Sequence, residues 1–180
     1  MPGHASHRHA RADRVHLHDQ RSRRQHDRAQ LRPGRLRARP EGDALSTSGA
    51  GGDAAEATRS VTASYLASFA TGDPEAVAAH VGDGFVNQHP SALGSPSQGK
   101  AAYLERLADF LATFSGLTYE AVDIVVEGDR AAAAYVMRAE VDGTPIEIGG
   151  VMRLTITDGL IERRVDYFDS LTFLRQTGQA

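Results

Sequence analysis

The chain has 180 residues, with 20 Lys and Arg against 23 Asp and Glu, 41% hydrophobic residues and no cysteine. The absence of cysteine excludes disulfides, thiolate metal sites and a cysteine nucleophile. No apolar run approaches the roughly 20 residues of a membrane-spanning helix, so we expect a soluble, cytoplasmic protein with no membrane partner.

The first 40 residues differ in composition from the rest of the chain. They hold eleven Arg and six of the eight His, but no Phe, Tyr, Trp or Ile, so they cannot bury enough apolar surface to offset their ordering entropy. We expect a disordered leader. Two alternatives are weak metal binding by its His-x-His pairs and binding of the arginines to an anionic surface.

The charge is divided at the same place. Residues 1–40 carry a net charge of +8, which leaves −11 for the remainder, and an acidic domain is a poor candidate for binding nucleic acid. Residues 41–53 are rich in Ser and Gly, which is typical of a flexible linker. The predicted organisation is therefore a leader and linker over 1–53 and one domain over 54–180.

Helical signals open the domain. From about Ala54, apolar residues recur at helical spacing as far as Phe69. Asp73 as the cap, followed by Pro74, predicts a short second helix that runs to about His80. Residues 85–99 are rich in Pro, Ser and Gly and predict an irregular stretch. A third helix then shows the broadest apolar face of the chain, formed by Tyr103, Leu104, Leu107, Phe110, Leu111 and Phe114.

After Gly116 the apolar period becomes that of strands. Four segments, 117–127, 130–141, 144–157 and 160–169, are separated by tight-turn pairs of Gly and Asp, which predicts an antiparallel meander. Leu171, Phe173 and Leu174 close one end as a turn or short helix. Gly149 and Gly150 lie in mid-strand and predict a bulge or the close approach of another chain. The order of elements indicates an α+β fold, with a cavity between one sheet face and the third helix.

Several of these segments resemble the SnoaL-like branch of the nuclear transport factor 2-like superfamily, which includes ketosteroid isomerases and limonene epoxide hydrolases. The similar pieces are FVNQHP at 85–90, VEGDR at 126–130, DGLIE at 158–162 followed by DYFD at 166–169, and LRQTG at 174–178. The resemblance implies a cone-shaped fold, in which three N-terminal helices pack on a curved antiparallel sheet around an apolar pocket.

Asp166 is the first candidate catalytic residue. The resemblance places it where SnoaL-like cyclases carry a proton-transferring Asp, and where limonene epoxide hydrolases carry one of two acids. In an apolar pocket a carboxyl group can take a proton from carbon or give one to oxygen. The structural alternative is an Asp that pairs with Arg164 or caps the terminal turn.

Arg138 and Glu140 are the second candidates. They are two residues apart on a predicted strand, so both side chains point to one face. The resemblance matches them to an Arg-x-Asp pair of the epoxide hydrolase site, with Glu in place of Asp. The alternative is a solvent-facing ion pair of little energetic consequence.

The remaining candidates lie on the rim and lining of the expected pocket. Asn87 and Phe85 match the Tyr-x-Asn that holds water in the related epoxide hydrolases, with one donor missing. His89 is expected to orient a substrate carbonyl or to act as a second acid, the alternative being an exposed loop histidine. Asn87 and four aromatic residues are expected to line the pocket and to bind substrate, the aromatic ones being Tyr65, Phe85, Phe110 and Phe168.

Together these features predict an enzyme of the SnoaL-like type that needs neither cofactor nor metal. The expected reaction is acid/base catalysed aldol-type cyclisation or isomerisation of a small apolar carbonyl compound. Epoxide hydrolysis and a non-catalytic ligand-binding module are the alternatives. We also expect a homodimer, because Val122, Ile124 and Val126 would otherwise expose an apolar stripe on the sheet.

Overall fold

The helices of the protein precede most of its sheet, in the order that the apolar spacing predicts. A computed structural model describes residues 48–180, and the predicted leader lies outside the described residues. The helices are α1 (Ser48–Ser68), continued by a single 3-10 turn at Phe69–Thr71, then α2 (Pro74–Ala78), α3 (Lys100–Thr113) and α4 (Ser170–Gln176).

Local sequence signals explain where these helices begin. The Asp73 side chain accepts a hydrogen bond from the main-chain N–H of Glu75 at 2.9 Å, and Pro74 occupies the first helical position. The short helix α4 is the predicted closing element. One expectation needs correction: α1 begins at Ser48 rather than near Ala54, so residues 48–53 belong to a helix and not to the linker.

The strands form one six-stranded sheet in the order β2-β1-β6-β5-β4-β3. Their bounds are β1 Val81–Gln88, β2 Ser97–Gln98, β3 Ser115–Glu127, β4 Arg130–Val141, β5 Thr144–Thr157 and β6 Leu160–Phe168. Strands β3 to β6 are the predicted meander, which is confirmed. The turns at Asp142-Gly143 and Asp158-Gly159 have positive φ at both residues, between 51° and 78°, as a two-residue hairpin with the twist of the sheet requires.

The sheet contains two strands that the sequence did not predict. Strands β1 and β2 lie in or next to the stretch expected to be irregular. Strand β1 pairs in parallel with β6, with Asn87 opposite Arg164, so the sheet is mixed and not wholly antiparallel. Gly82, Asp83 and Gly84 interrupt the strand period of β1. The pairing of β1 therefore depends on a distant strand and not on a local pattern.

The two faces of the sheet have different roles. On β4, the alternate residues Ala131, Ala133, Tyr135, Met137 and Ala139 are buried on the inner face. The outer face is polar near Arg138 but also exposes Val122 and Val125, which are 64% and 60% exposed. Ile124 and Val126 pack against the core instead, so the predicted stripe does not include them. A register shift between Ala121 and Asp123 accounts for this change of face.

The helices pack on the inner face of the sheet and so form a buried layer next to the site. Tyr65, Leu66 and Phe69 of the first helical segment are buried with Tyr103 and Leu107 of α3 against the inner sheet face. No helix among residues 48–180 is long and apolar enough to cross a membrane.

Candidate active site

A cavity of about 640 Å³ opens between α3 and the inner face of the sheet. Eight of its 21 lining residues are Phe or Tyr, among them Phe69, Phe110, Phe114, Tyr119, Phe168 and Phe173. On the strand side, four polar side chains interrupt this lining: Arg164 and Asp166 of β6, Asn87 of β1 and His89 just after it. On the helix side, Glu105, Arg106 and Asp109 of α3 add charged groups. The cavity therefore suits a mainly apolar molecule that presents a polar group to β1 and β6.

The carboxylate of Asp166 is held on both oxygens. Tyr135 donates its hydroxyl hydrogen to Oδ1 at 2.7 Å, and Nη2 of Arg164 donates to Oδ2 at 3.1 Å. Arg164 and Asp166 are two apart on β6, so their side chains share one face. Asp166 is 3% exposed, which makes these donors necessary, because a buried carboxylate without partners would be strongly unfavourable.

Arg164 is in turn anchored by two tyrosines. Its Nη1 donates to the Tyr65 hydroxyl at 2.8 Å, and the hydroxyls of Tyr65 and Tyr103 lie 2.6 Å apart. Burial alone disfavours the charged guanidinium, but the oxygens of Tyr65 and Asp166 outweigh it and keep the pKa of Arg164 well above its ordinary value. The guanidinium is therefore a fixed positive charge behind Asp166.

His89 is neutral in this environment. Burial, followed by the charge of Arg164, lowers its pKa from 6.5 to about 4, although Asp166 acts in the opposite direction. Its Nε2 lies 3.3 Å from Nη2 of Arg164. Because a guanidinium only donates, we assign Nε2 as the acceptor and place the proton on Nδ1, which is 3.8 Å from Oδ2 of Asp166.

Burial also controls the tyrosine hydroxyls near the carboxylate. It raises the pKa of Tyr135 far above the ordinary value, and the nearby charge of Asp166 adds to this. The pKa of Tyr119 is raised by the same two causes. Tyr135 is thus a neutral hydrogen-bond donor and not a source of tyrosinate at physiological pH.

The structure brings five of the predicted site residues to the cavity wall: Asp166, His89, Asn87, Phe110 and Phe168. Two others lie behind the wall and do not line it. Tyr65 is fully buried and contacts Arg164, and Phe85 is fully buried with its ring centroid 4.7 Å from that of Tyr103. The expectation that Tyr65 and Phe85 touch substrate directly is therefore corrected: they support residues that do line the cavity.

Arg138 and Glu140 do not reach the cavity, so their predicted place in the site is wrong. Arg138 forms ion pairs with Glu147 at 2.7 Å and Glu120 at 2.6 Å on the outer face, and Glu140 is exposed on the same side. The inward residues of this part of β4 are Met137 and Ala139. A spacing of two places both side chains on one face, but it does not say which face is buried.

Three residues that fix the Asp166 carboxylate, directly or through Arg164, were not predicted as site residues: Tyr135, Tyr103 and Arg164. Arg164 was considered only as a structural ion-pair partner of Asp166. The Arg164-x-Asp166 spacing was a usable signal, since it puts a cation and an acid on one strand face. A subtler signal pointed to Tyr135: the pair Gly149-Gly150 lies in the middle of the next strand, β5, and leaves room there for an aromatic ring.

Within residues 48–180, no group of three or more His, Cys, Asp or Glu side chains is arranged to hold a metal ion.

Comparison with known proteins identifies the family. Residues 62–164, more than half of the chain, match the family model of the SnoaL-like domain, so the chain belongs to the SnoaL-like domain family. No curated protein is similar in sequence.

Solved structures share the fold. A hypothetical protein with a ketosteroid isomerase-like fold from Catenulispora acidiphila, in complex with trimethylamine, is 17% identical with a TM-score of 0.62, over 67% of this chain and 93% of that one. A putative isomerase from Bacillus subtilis is 21% identical with a TM-score of 0.62, over 69% and 95%. An LEH-like epoxide hydrolase from M. tuberculosis is 18% identical with a TM-score of 0.59, over 69% and 90%.

Proposed function

We propose that the protein is an enzyme in which Asp166 transfers protons on a small, largely apolar carbonyl compound, in an aldol-type cyclisation or an isomerisation. The observation that carries this proposal is the placement of a 3% exposed carboxylate in the wall of an aromatic cavity. A buried carboxylate is costly, and burial of this kind is typical of proton-transfer sites.

The hydrogen bonds of Asp166 leave it able to act as a base. Each carboxylate oxygen has two lone pairs, and the described contacts use one on Oδ1 for Tyr135 and one on Oδ2 for Arg164. The neutral ring of His89 adds a hydrogen-bond donor beside the same carboxylate. A carbon acid in the cavity would thus meet an acceptor for its proton next to a polar group for its oxygen.

Epoxide hydrolysis receives less support from the geometry. That mechanism, as the resemblance implies it, needs a second acid bridged to Asp166 by an arginine. Arg164 supplies the bridge, but among residues 48–180 it has an ion pair with Asp166 alone, and Glu140 lies on the outer face. Glu105 and Asp109 of α3 also line the cavity, but on the helix side, and Arg164 does not bridge either of them to Asp166 among the described residues.

Hydrogen exchange on a simple apolar ketone tests the proposal without knowledge of the natural substrate. The protein is incubated with 2-tetralone in D₂O, and deuterium entry beside the carbonyl is followed by NMR. Asp166→Asn should lower the enzyme-dependent exchange by about a hundred- to ten-thousandfold, the usual value of general acid/base catalysis. Glu140→Gln makes the same chemical change on the outer face and should leave exchange unchanged.

Melting temperature is measured on the same preparations. Reduced stability of Asp166→Asn with unchanged exchange would contradict the proposal, and would indicate a structural carboxylate in a ligand-binding module. Enzyme-dependent formation of a diol from a cyclic epoxide, lost in Asp166→Asn, would instead favour the hydrolase.

A further inference from the structure

Tyr135 reaches Asp166 by crossing an entire strand. Tyr135 lies on β4 and Asp166 on β6, with β5 between them. On β5 the residue paired with Tyr135 is Gly150, and the residue paired with Asp166 is Met152. The ring passes over the glycine, and its hydroxyl donates to Oδ1 of Asp166 at 2.7 Å.

Only glycine leaves room for this crossing. A Cβ atom at position 150 would overlap the hydroxyl oxygen and the adjoining ring carbon of Tyr135, and would lie 2.8 Å from the main-chain oxygen of Tyr167. Displacement of the tyrosine ring would relieve the first two overlaps, whereas the third would require a local shift of the strand. The hydroxyl of the displaced ring would then leave Asp166. A Cβ atom at the neighbouring Gly149, in contrast, would meet open space.

The crossing also fixes the plane of the carboxylate. Tyr135 holds Oδ1 from the β4 side, while Arg164 holds Oδ2 along β6 itself. Edge-on packing of Tyr119 against Tyr135, with ring centroids 4.9 Å apart, restricts the ring further. The Asp166 carboxylate therefore cannot rotate without losing a hydrogen bond.

We propose that Tyr135 is a positioning residue for the Asp166 carboxylate, and that Gly150 is the position in the sheet that makes this role possible. The expected effect of Tyr135 on catalysis rests on the proposed function, whereas its role in fixing the position of the carboxylate does not. Tyr135 lines the cavity, so an altered ring position would also change the space next to the reacting group.

Carbon-13 NMR of the Asp166 carboxyl carbon and the Tyr135 hydroxyl-bearing carbon tests the positional part directly. Asp166→Asn and Tyr135→Phe assign the two signals. Gly150→Ala should shift both signals, because it separates the hydroxyl from the carboxylate. Gly149→Ala, the matched control, should shift neither. Tyr135→Phe keeps the glycine and most of the ring, and should shift the Asp166 signal in a folded protein whose melting temperature is lowered by the loss of one buried hydrogen bond.

Exchange kinetics with 2-tetralone test the catalytic part. Gly150→Ala and Tyr135→Phe should lower kcat by about tenfold or more, as expected for one hydrogen bond to a charged group, with KM changed much less. A ring that only fills space would give wild-type kcat in Tyr135→Phe and an unmoved Asp166 signal, and would overturn the inference.

Two further outcomes are decisive. If Gly150→Ala does not fold, Tyr135→Phe alone decides the positioning role. If the wild-type protein gives no exchange, the proposed function fails, while the NMR signals still show whether Tyr135 holds Asp166.

Discussion

Arg164 and Asp166 form an ion pair of 3.1 Å in which the side chains are only 5% and 4% exposed. In such a buried pair, each partner compensates the charge of the other, so the removal of one partner leaves an uncompensated charge in the core. The same pair also forms part of the cavity wall, which couples the stability of the fold to the chemistry of the site.

Arg164→Met is therefore expected to lower the free energy of unfolding by about 3–5 kcal/mol at pH 7, measured by urea denaturation. The neighbouring Arg163 provides a matched control, because it is exposed and bonds only to Gln88 among the described residues. Arg163→Met should change stability by about 0.5 kcal/mol or less. Combining Arg164→Met with Asp166→Asn should recover part of the loss. A stable single Arg164→Met variant would contradict this account.

The stability of the protein should depend on pH through His89. Its pKa is about 4 in the folded protein against an ordinary 6.5, so between these values the unfolded chain binds more protons. The free energy of unfolding should accordingly fall as the pH is lowered from about 6.5 to about 4, with no further loss from this group below. His89→Gln should lack this component. Denaturation curves of both proteins across the range measure it, and parallel pH profiles would count against a neutral buried ring.

Removal of residues 1–47 keeps all of α1 and should leave the melting temperature and the affinity for 2-tetralone unchanged. The reason lies in composition, since residues 1–40 lack the apolar residues needed to pack on the domain. Thermal melting and ligand titration of the two lengths provide the comparison. A truncated chain that no longer folds would show that the leader contributes to the domain.

We expect a homodimer through the outer face of the sheet. Val122 and Val125 are more than half exposed there, and Val151 and Tyr167 are also exposed. Light scattering at micromolar concentration should give twice the chain mass, and Val125→Asp should raise the monomer fraction. Ala101→Asp adds the same charge to an exposed position of α3 and should not. A monomer mass for the wild-type protein would refute the expectation.

The sequence was most informative where structure is local. The turn pairs of Asp and Gly predicted the hairpins because positive φ is required there, and the bounds of β4 and β5 follow from those turns. The apolar face of α3 predicted one wall of the cavity through its spacing alone. Each of these signals lies within about a dozen residues.

The site was predictable only in part, because its geometry depends on which face of a strand is inward and which strands are neighbours. Arg138 and Arg164 each lie two residues before an acidic residue on a strand, yet only Arg164 points into the fold. The bond from Tyr135 to Asp166 requires β4, β5 and β6 in register, with a glycine between them. Apolar alternation predicts which residues of one strand share a face, but it does not predict the register between strands that are far apart in the chain.

The parallel pairing of β1 with β6 has a consequence for the order of assembly. Arg164 meets His89 across 75 positions of the chain and Tyr65 across 99, whereas β3 to β6 are linked by short hairpins. Closing long loops costs entropy before any contact rewards it, so hairpins form early and distant pairings late. A chain with only the meander formed would present Arg164 and Asp166 without Asn87, His89 or the tyrosine anchors. Ligand binding should therefore first appear with the slowest phase of refolding.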